Sequence, residues 1–221
     1  MDNLLVIFAK APIAGFAKTR LCPPLLPDEA AGLQRAFIAD TLDNAVGAGG
    51  FDVLVAFTPD DARGLMVETC GGRPCDLAPQ VGGDLGERMS RAFVSAFGMG
   101  YRKVAIVGTD SPALQTCTLT AAFDRLDRAD MVIGPAEDGG YYLIGLKSPA
   151  PEVFKDIGWS GPEVLSETLA KAHGLGLSVE LLPTLGDVDT FEDLGRISGS
   201  PLPKYTRAFL DGLPDRPPVR R

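Results

Sequence analysis

Short unbroken apolar runs alternate along the chain with longer stretches in which apolar residues return every three or four positions. Residues 4–9, 51–57 and 104–107 are runs of the first kind, of a length that suits strands buried on both faces. Between the first two, Pro27-Asp28-Glu29 opens a helical pattern carried by Leu33, Phe37, Ile38, Leu42 and Val46, and Gly47 ends it. Leu85, Met89, Ala92, Phe93 and Ala96 form the apolar face of a second helix. Residues 119–126 and the set Leu165, Leu169 and Ala172 predict two more. Weaker strand signals lie at residues 74–79, 131–133, 141–146 and 177–182, and residues 58–61 start a short helix. This alternation predicts an α/β protein with a mostly parallel sheet. The 221 residues suit one domain over 1–200, followed by a Pro- and Arg-rich tail at 201–221 that packs loosely or mediates contacts.

Charge and composition narrow the partners. With 21 basic and 29 acidic residues the net charge is −8, which disfavours a nucleic-acid polymer or an anionic membrane surface but leaves room for a small anion in a locally basic pocket. The run at 4–9 is too short for a membrane span or signal peptide and ends at Lys10, so a cytoplasmic protein is expected. Cys22, Cys70, Cys75 and Cys117 contain no Cys-x-x-Cys pair, which argues against zinc and reads as reduced thiols. His173, the only histidine, excludes His-rich metal sites. It precedes Gly174 at an expected helix end, where a cation favours the dipole and glycine caps. A homodimer is compatible with all of this.

The candidate chemistry lies in the loops. After the run at 104–107, Gly108-Thr109-Asp110-Ser111-Pro112 releases a carboxylate at a strand's carboxyl end, where open α/β sheets bind ligands; the alternative is a turn and nothing more. The loop after the first strand carries Lys10, Gly15, Lys18 and Arg20. Glycine permits close backbone approach and the cations suit phosphate oxygens, although Ala17 before Lys18-Thr19 breaks the Walker A pattern. A solvated basic loop is the plainer reading. Gln80, Gly83, Asp84 and Arg88 surround a helix start that suits a phosphate or a base edge, while Asp84 and Glu87 also have the spacing of a capping box. Glu137-Asp138-Gly139-Gly140 is either a hairpin turn or an acceptor-side loop. Trp159 is either core or a lid. Asp187 and Asp189 project in one direction from an extended stretch, so that either can face Asp110, and Thr190 with Asp193 resembles a helix cap.

In this order, Lys18-Thr19-Arg20-Leu21, Gly83-Asp84-Leu85-Gly86-Glu87-Arg88-Met89, Gly108 to Pro112, Glu137 to Tyr141 and Asp187-Val188-Asp189-Thr190 resemble the radical-SAM/selenodomain-associated transferases, GT-A-like members of the nucleotide-diphospho-sugar transferase superfamily. The resemblance implies a Rossmann-like three-layer α/β/α sandwich and a nucleotide or nucleotide-sugar substrate bound over the first strands. It implies Mg²⁺ or Mn²⁺ on Asp110 and Asp189, since two carboxylates about 4 Å apart repel by roughly 4 kcal/mol and need a cation. Pro112 stands where an Asp-x-Asp motif would place its second acid. Transfer of a glycosyl group to a small-molecule acceptor is the first reading, with Asp110 central, Asp138 or Glu137 as base, and Gly139, Gly140 and Trp159 on the acceptor side. Nucleotidyl transfer is the alternative, because the Lys18 loop also resembles that of phospholactate guanylyltransferases. A non-catalytic nucleotide-binding subunit is the third.

Overall fold

The apolar runs become the middle of a seven-stranded sheet. In a computed structural model that describes residues 2–159, 161–197 and 202–213, the elements follow in the order β1 (Asn3–Lys10), α1 (Pro27–Ala48), β2 (Asp52–Thr58), α2 (Arg63–Cys70), β3 (Asp76–Pro79), α3 (Leu85–Gly98), β4 (Lys103–Val107), α4 (Thr116–Arg125), β5 (Met131–Pro135), β6 (Tyr141–Leu146), α5 (Val164–Gly174), β7 (Val179–Leu181), α6 (Phe191–Ile197) and α7 (Lys204–Asp211). The strand order is β3-β2-β1-β4-β6-β5-β7. Only β6 runs against its neighbours.

Side-chain alternation along the strands sorts the core into two layers. Leu5 and Ile7 of β1 join Val55, Phe57 and Val107 beneath Ile38 and Leu42 of α1, Met66 of α2 and Phe123 of α4. Leu4 and Val6 join Val104, Ile106 and Ile144 beneath Met89 and Phe93 of α3 and Ala172 of α5. Because both faces are covered, central strands carry continuous apolar runs.

The chain steps from β1 to β2 to β3 in one direction and then returns to place β4 on the other side of β1. The border between β1 and β4 is therefore the topological switch point, and the loops leaving the two carboxyl ends face each other across it.

Three expectations change. Gly47 lies inside α1, whose C-cap is Gly49 at φ +63°. Gly174 is likewise helical. His173 does sit in the last turn of α5, but the left-handed residue is Gly176 at φ +72°, and the closing bonds run from Gly176 N to the His173 carbonyl at 3.0 Å and from Leu177 N to that of Ala172 at 3.0 Å. The expected domain border at residue 200 severs a packed helix. Asp40 of α1 accepts bonds from Tyr205 N (2.9 Å), Thr206 N (2.8 Å) and Thr206 Oγ1 (2.6 Å), and Phe209 covers Gly32, where a Cβ would come within 2.5 Å of the ring. Leu21, Leu33, Phe37, Val188, Phe209 and Leu210 then form a third cluster. Residues 198–201 and 214–221 of the expected border and tail lie outside the described residues, as does Ser160, which with Glu163 has the sequence spacing of a capping box before α5. No helix among the described residues is long and apolar enough to cross a membrane.

Candidate active site

At the switch point, Lys18 reaches from the loop after β1 to Asp110 in the loop after β4, with Nζ 2.8 Å from Oδ1. The ammonium also donates to the Val188 carbonyl at 2.6 Å, lies 3.8 Å from Asp189 and sits 5.3 Å from the centre of the Phe37 ring. Its side chain is only 5% exposed, whereas that of Asp110 is 49% exposed. Lys18 takes a left-handed backbone conformation, φ +51°, which a β-carbon disfavours. It is thus not the solvated loop cation of the plainer reading: the cation shared by Asp110 and Asp189 in this structure is Lys18.

Arg20, on the exposed rim, donates to Asp189 Oδ2 at 2.9 Å. Val188 N donates to the Asp110 carbonyl at 2.8 Å and so fixes the third loop against the second. Behind Asp110, the buried Gln34 amide donates to Lys10 O at 3.1 Å and to Thr109 Oγ1 at 3.2 Å, and that hydroxyl lies 3.3 Å from Asp110 Oδ1 as donor. Gln34 and Thr109 are supports that sequence reasoning missed. The available signal was a lone amide between Leu33 and Phe37 on an apolar helix face.

Asp189 and Asp187 divide their work. Asp189 pairs with the two cations, while Asp193 caps the turn by accepting from Asp189 N, Thr190 N and Thr190 Oγ1 at 3.2, 2.7 and 2.7 Å. Asp187 is half-buried, and burial, then the charges of Asp138, Asp189 and Asp193, hold its carboxyl above the usual aspartate range. It was the less favoured of the pair from sequence, because spacing alone does not show which neighbour a carboxylate meets.

The acid tip between β5 and β6 is a turn, as the hairpin reading has it. Asp138 Oδ1 accepts Gly140 N at 2.8 Å, and Glu137 N donates to Leu185 O at 3.1 Å. Glu137 and Asp138 stay exposed. Gly139, at φ +91°, lets Pro162 O approach to 2.1 Å of where a Cβ would stand.

The loop before α3 engages most of its own groups. Asp84 Oδ1 caps Glu87 N at 2.8 Å, Glu87 accepts Gly83 N at 2.8 Å, and Arg88 donates to the carbonyls of Gly82 at 3.2 Å and Gly83 at 3.1 Å. Gly83 N–H and Arg88 are therefore not the free donors expected for a phosphate. Gln80 turns back to donate to the Ala56 carbonyl at 2.9 Å. Lys10 is exposed at the end of β1, and Gly15 supplies a left-handed turn, φ +75°, with open space where a side chain would be. Trp159 packs on Gly86 in the first turn of α3 and meets Tyr141 edge-on at 6.5 Å, so it bridges the α3 loop and β6 as part of the wall.

Known relatives bear on this geometry. The chain is 30% identical over 193 residues to a 2-phospho-L-lactate guanylyltransferase of Methanothermobacter thermautotrophicus, covering 84% of this chain and 81% of that one. It is 26% identical over 224 residues to a protein of the same name from Methanobrevibacter ruminantium, covering 94% and 91%. The crystal structure of a candidate nucleotide-diphospho-sugar transferase from Desulfovibrio desulfuricans G20 is 35% identical and superposes with a TM-score of 0.87 over 95% of this chain and 94% of that one. The α/β fold and the likeness to transferases agree with the resemblance seen in the sequence; the radical-SAM association has no counterpart in these descriptions. A family profile described as "Uncharacterized protein conserved in bacteria (DUF2064)" matches residues 41–161, over half of the sequence, and the chain belongs to that family.

Proposed function

We propose that this protein is a nucleotidyltransferase that moves a nucleoside monophosphate, a guanylyl group in the first instance, from a nucleoside triphosphate to a small acidic acceptor and releases diphosphate. The observation that carries this reading is the Lys18–Asp110 pair at the switch point of a chain similar along most of its length to two guanylyltransferases. The glycosyl reading placed first from sequence becomes the second. The Desulfovibrio relative keeps it in view.

An acceptor oxygen attacks the α-phosphorus, a P–O bond forms, and the bond to the leaving diphosphate breaks. Lys18 and Arg20 exchange part of their carboxylate contacts for phosphate oxygens, supplying charge where it develops. The Gln34–Thr109 chain keeps Asp110 oriented during that exchange. Asp110 and Asp189 are hard oxygen donors of the kind Mg²⁺ or Mn²⁺ takes; among the described residues no three such side chains are gathered around one point, so phosphate oxygens of the substrate would complete the shell of such an ion. Such an ion, when bound, neutralises the diphosphate. A phosphate or carboxylate acceptor is already nucleophilic at neutral pH and needs no base; for a hydroxyl acceptor Glu137 or Asp138 serves as base.

A thermal-shift screen of nucleoside triphosphates, nucleotide sugars and nucleoside diphosphates, each with Mn²⁺ and with a chelator, tests the reading. A ligand at one hundred times its Kd stabilises by about 2.7 kcal/mol, which raises Tm by several degrees at roughly 2–4 °C per kcal/mol. The expected result is a metal-dependent shift greatest for GTP, with diphosphate released when acceptor is added. A larger shift with a nucleotide sugar would favour glycosyl transfer. No shift with any nucleotide would leave a subunit without this chemistry.

A further inference from the structure

A second chemical site lies at the opposite end of the sheet from the Lys18 cluster. Cys70 ends α2 and Cys75 immediately precedes β3, the edge strand. The four residues between them, Gly71-Gly72-Arg73-Pro74, fold back on themselves through two left-handed glycines at φ +61° and +76°. Arg73 pins this turn. Its backbone N–H and Nη1 both donate to the Cys70 carbonyl, at 3.2 and 3.0 Å, while Nε donates to Asp43 of α1 at 2.5 Å and the guanidinium lies 5.0 Å from the Tyr205 ring centre. The fold-back brings both thiols to one spot, Cys70 buried in the core cluster and Cys75 half-buried and packed against that cluster.

We propose that Cys70 and Cys75 form a two-thiol oxidation site, in which Cys75 is the thiol attacked by a hydroperoxide and Cys70 the resolving thiol that closes an intramolecular disulfide. The roles follow from the surroundings. Cys70 is buried, and its thiol, pushed up by the neighbouring thiol and by burial, stays protonated; Cys75 is the thiol that reaches toward solvent, with the Arg73 guanidinium nearby. The neighbouring thiol and the guanidinium outweigh its partial burial and the opposing charge of Asp76 and hold the Cys75 thiol below the ordinary cysteine range.

The chemistry balances in two steps. The Cys75 thiolate attacks a peroxide oxygen, an S–O bond forms as the O–O bond breaks, and the departing oxygen takes a proton to leave as water or an alcohol. Cys75 is then a sulfenic acid. Cys70 sulfur attacks Cys75 sulfur, the S–S bond forms as the S–O bond breaks, and the hydroxide leaves with the Cys70 proton as water. Two thiols are oxidised and one hydroperoxide is reduced.

What distinguishes the site is the resolving partner held in contact.

The test is a time course of the full-length protein with equimolar hydrogen peroxide, quenched by alkylation and mapped by peptide mass spectrometry, with exposed Cys117 as internal reference. The expected first product is the Cys70–Cys75 disulfide, reversed by dithiothreitol and formed before Cys117 is oxidised. In Cys70→Ala, dimedone should trap a sulfenic acid at Cys75; in Cys75→Ala, Cys70 should stay unmodified. The wild-type map stands alone if either variant fails to fold. Oxidation of Cys117 or Cys22 ahead of the pair, or disulfides only between molecules, would overturn the assignment.

Discussion

Trp159 fills the space in front of Gly86: a Cβ on Gly86 would stand 2.4 Å from the indole nitrogen and 2.5 Å from two ring carbons. An alanine in an open helical position would add stability, by about 1 kcal/mol from propensity alone. Here it must displace the indole. Gly86→Ala is therefore expected to destabilise by about 1–3 kcal/mol and to shift the emission of Trp159, the only tryptophan, to longer wavelength. An unchanged spectrum with a raised Tm would mean that the indole does not occupy that space.

Lys18 combines two effects that one pair of variants separates. Lys18→Ala and Lys18→Gly both remove the ammonium from Asp110 and Asp189, and both should weaken nucleotide binding in calorimetry. Alanine keeps the left-handed strain at φ +51°, whereas glycine relieves it by about 1–2 kcal/mol. Alanine should cost about 1–2 kcal/mol of stability, more than a surface lysine would, and glycine less than alanine. Equal stability of the two variants would remove the backbone from the argument, and unchanged affinity would remove the charge.

Asp110→Asn keeps the shape of the side chain and the contact with Thr109 while removing the charge. A folded variant with turnover lowered on the order of 10²-fold is expected, the size of one preorganised electrostatic contact. Near wild-type diphosphate release would reduce Asp110 to a turn residue.

Far from this site, Asp130 joins β5 to the approach of β7. Its carboxylate accepts Ser178 Oγ at 2.5 Å and Ser178 N at 2.8 Å, with Lys147 at 3.0 Å, and these contacts lower the carboxyl to about 2. A depressed folded value means that the stabilisation is complete above about pH 4 and is lost as pH falls toward about 2. After screening for its partial exposure it is on the order of 1 kcal/mol. Urea midpoints of wild type and Asp130→Asn should differ at pH 6 and converge as the pH approaches about 2.5. A constant gap would show that the hydrogen bonds act without the charge.

The sheet was legible because a strand covered on both faces has no polar positions to interrupt its run, as in β1 and β4. The cap at Asp84 and the turn at Asp138 were legible because their partners lie within four residues. What spacing does not carry is long-range pairing. Lys18 meets Val188 across 170 positions and Gln34 meets Thr109 across 75, so the sequence offered Lys18 for phosphate without its partners in the third loop, and the amide was passed over. The same holds for α7, whose Pro- and Arg-rich surroundings hid Thr206, Phe209 and Leu210 as partners of α1. Gly174 and Gly176 differ for a local reason: either can end a helix, and which one does is decided by where Leu177 must enter the core.

The seating of α7 also changes what counts as the folding unit. Asp40 holds the first turn of α7 and Phe209 covers Gly32, while the same helix, α1, also carries Gln34, which reaches Thr109, and Phe37, which lies near the Lys18 ammonium. A chain cut at residue 200 would keep every strand of the sheet and every charged residue of the site. It would nevertheless bare Leu33 and Phe37 to water, replacing the floor of the site with a greasy, solvent-lapped surface. The last helix is thus the keel of the basic loop: without a single atom in the site, it sets how firmly that loop can stand.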